Sequence, residues 1–353
     1  MRVAITGASG NVGSALVRAL RASGHDVVGV VRRPPPSGTP GWTGVAWVTA
    51  DLATDCHARL VDAFRGADAV VHLVWGFQPT HDVEYLREVG VGGTRRVLAA
   101  AAAADVPHVV HQSSLGAYAP RRDLRAVDES WPTTGIAGSP YSRHKAEGER
   151  LVEEWARRHP DVVVSVTRPG IVAQRSAGSG QLRYFLPTVV PPAVLRVLPL
   201  LPLDNDVVIP VVHADDLAAA ITAIIEKRAG GPFNIAVEAL GADAIAEVLG
   251  ARRVPVPPAL VRAAAAVSWH LHLQPVDAGW VDMAHQAPVL DSTRARTELE
   301  WRPAYDGTAA LAEAVAGMVE TGHDATAVLR RRTIVDGLAR AVREGPVARR
   351  RRP

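Results

Sequence analysis

Cysteine is nearly absent: the 353 residues contain one, Cys56, so no disulfide can close within the chain, as suits a reducing cytoplasmic setting. Long apolar runs are missing too. The greasiest stretch, residues 189–203, is broken by Pro191, Pro192, Arg196, Pro199 and Pro202 and is too short to span a bilayer, so no membrane partner is expected. The opening MRVAITGASG reads as a strand entering a turn, and its apolar part is too short for a signal peptide. No cluster has metal-ligand spacing; His270 and His272, two apart in WHLHL without a further Cys or carboxylate close by, read as structural. Excess charge is scarce: the net +3 is matched by the terminal run Arg349 to Arg352, which reads as a solvated tail and not as a nucleic-acid surface. Internal repeats are absent. What remains is a chain with 48% hydrophobic residues, long enough for one large α/β unit or a core with a smaller lobe.

The first thirty residues carry the strongest local signal. RVAIT is a short β-branched run, GASGNVG follows, SALVRALRASG has helical apolar spacing, and HDVVGVV is a second buried strand. Gly7, Gly10 and Gly13 lie in the turn of this βαβ unit. There glycine permits a tight turn, a close backbone approach to a pyrophosphate, and packing of helix on strand, while the helix N-terminus offers free N–H groups. In that strand–loop–helix context the loop predicts dinucleotide binding. The second strand ends in Val31, Arg32 and Arg33. An acidic residue there would accept from ribose hydroxyls; two arginines cannot, but can pair with a 2′-phosphate, which favours NADP over NAD. A plain basic turn is the alternative.

Strands and helices continue to alternate. GVAWVTADL reads as a third strand ending at Asp51 and Leu52, ADAVVHLVW as a fourth ending at Trp75, TRRVLAAAAAA as a helix and PHVVHQSS as a fifth strand. Such alternation predicts an α/β fold, a doubly wound parallel sheet of the Rossmann type, with ligands at the carboxyl ends of its strands. Ser113 and Ser114 stand at one such end. Tyr141 and Lys145 in YSRHK share a helix face four residues apart; alone they are equally an exposed pair.

The pieces TGASGNVG, ADL, VVHLV, SSLGAY, YSRHK, RPGIV, VVHADDLAAAI, GPFNIA and LDSTRARTELEWRP, in this order over about residues 1–305, resemble the extended short-chain dehydrogenase/reductases of the NAD-dependent epimerase/dehydratase group. The resemblance implies Tyr141 as general acid/base, Lys145 as its partner, and Ser114, four before Tyr118, as the catalytic hydroxyl in preference to Ser113. It implies Gly7, Gly10, Asn11, Val12 and Gly13 as the phosphate loop, Asp51 and Leu52 as adenine contacts, and Leu73 and Val74 as the strand end beside the cofactor. Pro169, Ile171 and Val172 would abut the nicotinamide, and Tyr141 and Lys145 would also contact the cofactor, with Lys145 holding its ribose. With positive charge from Lys145 and an oxidised nicotinamide close by, the Tyr141 pKa is expected to fall. The resemblance also implies a homodimer formed through the two helices TRRVLAAAAAA and YSRHKAEGERLVEEWARR.

Two positions depart from the family's pattern. Gly90 stands where Asn is frequent, which removes a side chain used in proton relay. Trp75 and Phe77 stand where small residues are common, implying a narrowed or reshaped pocket. The expected organisation is a dinucleotide-binding domain over 1–175, a smaller substrate lobe mainly over 176–320 with later strands returning to the core, and a C-terminal helix over about 324–345 before the basic tail. The lobe is apolar and Pro-rich. Arg183 and Arg196 are available to a diphosphate, but no paired-arginine clamp is evident, and Trp269 and Trp280 fit either an apolar cleft or plain core. These features point to hydride transfer between a nicotinamide and a carbonyl or alcohol of a small or largely apolar substrate. Nucleotide-sugar epimerisation or dehydration on a tightly held cofactor is the alternative.

Overall fold

The computed structural model describes residues 1–333 apart from 78, 188, 189 and 198, and beyond 333 only residues 335, 338, 339 and 342. Its strands are β1 (Arg2–Thr6), β2 (Asp26–Val31), β3 (Ala46–Thr49), β4 (Ala69–His72), β5 (His108–Gln112), β6 (Val163–Pro169), β7 (Ile171–Ala173), β8 (Leu200–Pro202), β9 (Val208–His213), β10 (Gly231–Ile235), β11 (Ala239–Gly241) and β12 (Arg252–Val254). The helices are α1 (Asn11–Ala22), α2 (His57–Phe64), α3 (Val83–Arg87), α4 (Gly93–Ala103), α5 (Pro140–Arg158), α6 (Gly178–Phe185), α7 (Ala214–Lys227), α8 (Ala242–Val248), α9 (Pro258–His270), α10 (Ala278–Gln286), α11 (Thr293–Glu298) and α12 (Gly307–Val319).

Seven strands form one sheet in the order β10-β6-β5-β4-β1-β2-β3, every neighbour parallel. Parallel strands are covered on both faces, so they read as continuous apolar runs, and the core splits accordingly. Val3, Ile5, Val71 and Val110 pack with α1 and α7 residues on one side. Ala4, Val70 and Val109 pack with residues of α2, α4 and α5 on the other. The order reverses between β1 and β4, and the turns after these two strands meet there: a Cβ on Gly7 would lie 3.2 Å from Val74. Smaller sheets, β11-β9-β7 and β12-β8, gather around a third apolar cluster that includes Val211, Ile245 and Ala314.

Two expectations need correction. The fourth strand ends at His72, three residues before Trp75. Its neighbour β1 stops at Thr6, the Leu73 amide makes a last bond to the Thr6 carbonyl (3.1 Å), and the chain then turns past Gly7. Of the helix expected over 324–345, the four described residues 335, 338, 339 and 342 are helical, whereas residues 324–333 are not. Local bonds compete for that backbone: the buried Thr326 hydroxyl donates to the Ser9 carbonyl (2.9 Å) and accepts from the Leu329 amide (3.2 Å), pinning the segment to the glycine-rich turn. Most of 334–345, and the terminal arginines, lie outside the described residues.

Candidate active site

The glycine-rich turn has the shape that a phosphate requires. Gly7 has φ +80°, which L side chains rarely adopt, and its amide donates to the Val30 carbonyl (2.9 Å). A Cβ on Gly13 would fall 2.2 Å from the Gly7 carbonyl oxygen, so the first turn of α1 rests directly on the loop. Helix α1 starts from Gly10 with neither a side-chain cap nor an acidic residue in its first turn, leaving its positive end to an anion. Asn11 donates to the Val172 carbonyl (3.1 Å), joining this loop to the segment after β6. Residues of the loop and of Pro169 to Val172 therefore sit on one edge of the sheet. Pro169 is buried, whereas Ile171 is 46% exposed.

Arg32 and Arg33 follow β2 as exposed side chains, and Arg32 approaches the Tyr85 hydroxyl at 3.4 Å. Past β3, Asp51 accepts from the Ala53 amide (3.0 Å) and Leu52 is buried. Leu73 and Val74 follow β4, half-buried. The positions expected to hold a dinucleotide thus lie along the carboxyl ends of β1, β2, β3, β4 and β6.

Helix α5 opens with Pro140 at its first turn, and the Ser139 hydroxyl accepts from the Ser142 amide (3.3 Å). This start places Tyr141 and Lys145 on the face towards β5. Tyr141 hydrogen-bonds Ser114, and a Cβ on Gly116 would meet the Tyr141 ring at 3.0 Å, so the phenol lies flush against the turn after β5. Ser114 also accepts from the Gly116 amide (3.1 Å). Ser113 faces elsewhere, donating to the buried Glu149 carboxylate. Of the two serines, Ser114 is the one brought to Tyr141.

Lys145 is 3% exposed, donates to the Gln112 carbonyl (2.9 Å) and has its ammonium 3.7 Å from the centre of the Trp75 ring. Burial draws its pKa down to about 7, with Glu149 acting in the opposite sense. The expected fall of the Tyr141 pKa is not what the protein alone produces. Burial pushes it up to about 12, outweighing the Ser114 hydrogen bond. Removing water from a phenolate dominates here.

Above Tyr141 sits an aromatic wall. Phe77 meets Tyr141 edge to face (5.3 Å), Tyr184 (4.6 Å) and Trp280 (5.0 Å), and Trp280 lies 5.0 Å from Tyr141. Trp269 is elsewhere, stacked on His81, whose ring also neighbours His272 (4.4 Å). Arg183 donates to the Ser179 and Val328 carbonyls, and Arg196 is exposed.

Several contributors are not apparent from sequence alone. Arg168 pairs with Glu149 beneath Ser113 and reaches the Tyr118 hydroxyl (2.9 Å), which donates to Asn234 (2.6 Å). Glu149 stands four residues after Lys145 on the same helix face, the one signal that could have found it. Tyr184 had no signal. Among the described residues no group of three or more His, Cys, Asp or Glu side chains could hold a metal, and no helix is long and apolar enough to cross a membrane.

Known proteins resemble this chain in sequence and in fold. The model of the NAD dependent epimerase/dehydratase family matches residues 3–236. An L-arabinose 1-dehydrogenase (NAD(P)(+)) of Haloferax volcanii is 35% identical over 170 residues, which are 45% of this chain and 62% of that protein. A 3-diazoavenalumate denitrifying reductase of a Streptomyces species is 32% identical over 322 residues, 86% of this chain and 97% of that protein. The chain spans less than two thirds of the dehydrogenase, and 31% of a Mycobacterium tuberculosis relative. A Thermus thermophilus UDP-glucose 4-epimerase solved with NAD shares the fold, with TM-score 0.66 at 22% identity over 90% of this chain and 99% of that one. With the glycine-rich turn, the Ser114–Tyr141 contact and the buried Lys145 gathered at one sheet edge, the chain belongs to the NAD dependent epimerase/dehydratase family.

Proposed function

We propose that the protein is an NAD(P)-dependent oxidoreductase, favouring NADP(H), that moves a hydride between the nicotinamide and a carbonyl or alcohol of a small or largely apolar substrate. One observation carries the substrate class: Phe77 and Trp280 pack on the Tyr141 ring and Tyr184 packs on Phe77, so the described side chains seen against the phenol are aromatic. A diphosphate buried there would lack charged partners, at a cost of several kcal/mol. Arg183, the arginine of that region nearest in sequence, is already committed to backbone carbonyls. The Haloferax and Streptomyces relatives, named as a dehydrogenase and a reductase, support net redox chemistry.

In this reading residues 1–175 bind the cofactor and the lobe over 176–320 contributes Tyr184 and Trp280 to the substrate wall. Gly7, Gly10, Asn11, Val12 and Gly13 would hold the pyrophosphate; Arg32 and Arg33 the 2′-phosphate; Asp51 and Leu52 the adenine side. Leu73, Val74, Pro169, Ile171 and Val172 would line the nicotinamide side. The cofactor supplies the hydride chemistry. Ser114 fixes the substrate oxygen, Tyr141 passes it a proton, and Lys145 favours the phenolate and binds ribose. A positive nicotinamide acts on Tyr141 in the direction opposite to burial. The protein works in the cytoplasm as a homodimer built through α4 and α5.

Cofactor stoichiometry tests the reading. The purified protein is offered a panel of ketones and nucleotide sugars with NADPH or NADH, and reduced-cofactor absorbance is followed against product. One cofactor oxidised per product is expected. Many turnovers of a nucleotide sugar on one tightly held cofactor, without net absorbance change, would establish the epimerase or dehydratase reading instead.

A further inference from the structure

We propose that Trp75 is the positioning residue of Lys145: its indole face, wedged between α4's approach and α5, fixes where the ammonium stands and supports its charge. The inference deepens the proposed function, on which its catalytic meaning rests.

Two elements make room for this one ring. A Cβ on Gly90 would lie 3.1 Å from Trp75 Cε2 and Cζ2, and one on Gly148 would lie 2.9 Å from Cη2. Either glycine replaced by a larger residue presses on the indole. Gly90 sits in a widened π-type turn, Glu88–Gly92, between α3 and α4. Such one-turn bulges displace the backbone locally, and this one brings a residue without a side chain against the ring. The two sequence departures, Gly90 and Trp75, are therefore one feature: the ring occupies the space that a side chain at position 90 would take.

The contact with Lys145 follows. The ammonium lies 3.7 Å from the ring centre and gives one hydrogen bond, to Gln112 O at 2.9 Å. A desolvated ammonium over an indole face is held by the ring quadrupole, more strongly than in water. Behind the ring the wall is polar, and Trp75 Nε1 and both His111 ring nitrogens are buried there without a hydrogen-bond partner. Thr6 meets His72 (2.7 Å), His72 meets Thr94 (3.0 Å), and Thr94 donates to the Gly90 carbonyl (2.8 Å). His111 lies edge-on to Trp75, ring centres 6.3 Å apart. The titratable groups around Lys145 are Tyr141, Glu149, His72 and His111. Burial lowers His72 to about 3 and His111 well below its ordinary value, and raises Tyr141 to about 12. None of these three changes charge near neutrality, where Lys145 does.

The chain has two lysines, Lys145 and Lys227, which makes the test direct. The full-length protein is labelled with 13C at lysine Cε and titrated by NMR, without cofactor. Lys145→Met assigns the signals, and the 38% exposed Lys227 is the internal reference. In the wild type the Lys145 methylene should be ring-shifted upfield of Lys227 and titrate near 7. Trp75→Leu should abolish the ring shift and lower the midpoint by about one pH unit. Trp75→Phe should restore much of both. Should Trp75→Leu not fold, Gly148→Ala, which pushes the ring aside, should give the same changes. Unchanged Lys145 shift and midpoint in the folded variants would overturn the proposal whatever the reaction is. The expected NMR changes in a protein that consumes no cofactor with any substrate would leave the positioning role standing and sink the redox reading.

Discussion

Neutralising Glu149 should unfold the site from below. In Glu149→Gln the Arg168 guanidinium, 5% exposed, loses its carboxylate, to which Nε donates at 3.1 Å and Nη2 at 2.6 Å. The Tyr118 hydroxyl cannot replace that charge, because burial pushes its pKa up to about 12 despite the guanidinium beside it. Breaking a buried pair by removing one partner typically costs about 3–5 kcal/mol, far above the value of a surface pair. Replacing both partners with Leu removes the stranded charge, so the double variant should lose clearly less than the sum of Glu149→Leu and Arg168→Leu. Urea unfolding measures this, with the slope checked for constancy so that midpoints convert to free energies. A Glu149→Gln loss under about 1 kcal/mol, or additive single effects in the double variant, would refute the buried-pair reasoning. Since Ser113 also donates to Glu149, the strand end carrying Ser114 should loosen and turnover should fall in parallel.

The other expectations concern cofactor and assembly. Gly13→Ala puts a Cβ 2.2 Å from the Gly7 carbonyl and should weaken nicotinamide-cofactor binding at least tenfold by fluorescence titration; an unchanged dissociation constant would show that the loop is not the phosphate site. Arg32→Ala should weaken NADPH binding by about tenfold and leave NADH nearly unaffected, since one charge-assisted contact to a phosphate is removed; tighter NADH binding in the wild type would reverse the assignment. Light scattering should give twice the 37.4 kDa chain mass, and a monomer at working concentration would exclude the α4–α5 dimer.

The elements around the cofactor edge were legible because their signals are local and periodic. RVAIT and the helix that opens at YSRHK needed only neighbouring residues, and β1 and α5 fall where those patterns place them. The end of β4 was not legible, because it is decided by where β1 stops. Residues 324–333 carry a helical apolar pattern, yet Thr326 binds Ser9 across the whole length of the chain. The family resemblance pointed to Ser114 over Ser113, and it is Ser114 that lies against Tyr141 while Ser113 donates to Glu149. Trp75 and Gly90 were visible only as separate oddities, and Gly148 carried no signal. Their meaning depends on three segments meeting, which no local pattern encodes.

The account stands most directly on the Tyr141 phenol. Tyr141→Phe keeps the ring that packs on Phe77 and Trp280 and removes only the hydroxyl that meets Ser114. On any substrate the wild type turns over, the rate of cofactor-dependent turnover should fall by about 10²–10⁴, the usual contribution of a general acid or base. The dissociation constant for the cofactor should stay within about twofold, because the phenol hydroxyl is one cofactor contact among many and its larger role is to move the proton. A folded Tyr141→Phe protein with near-wild-type turnover would contradict the account.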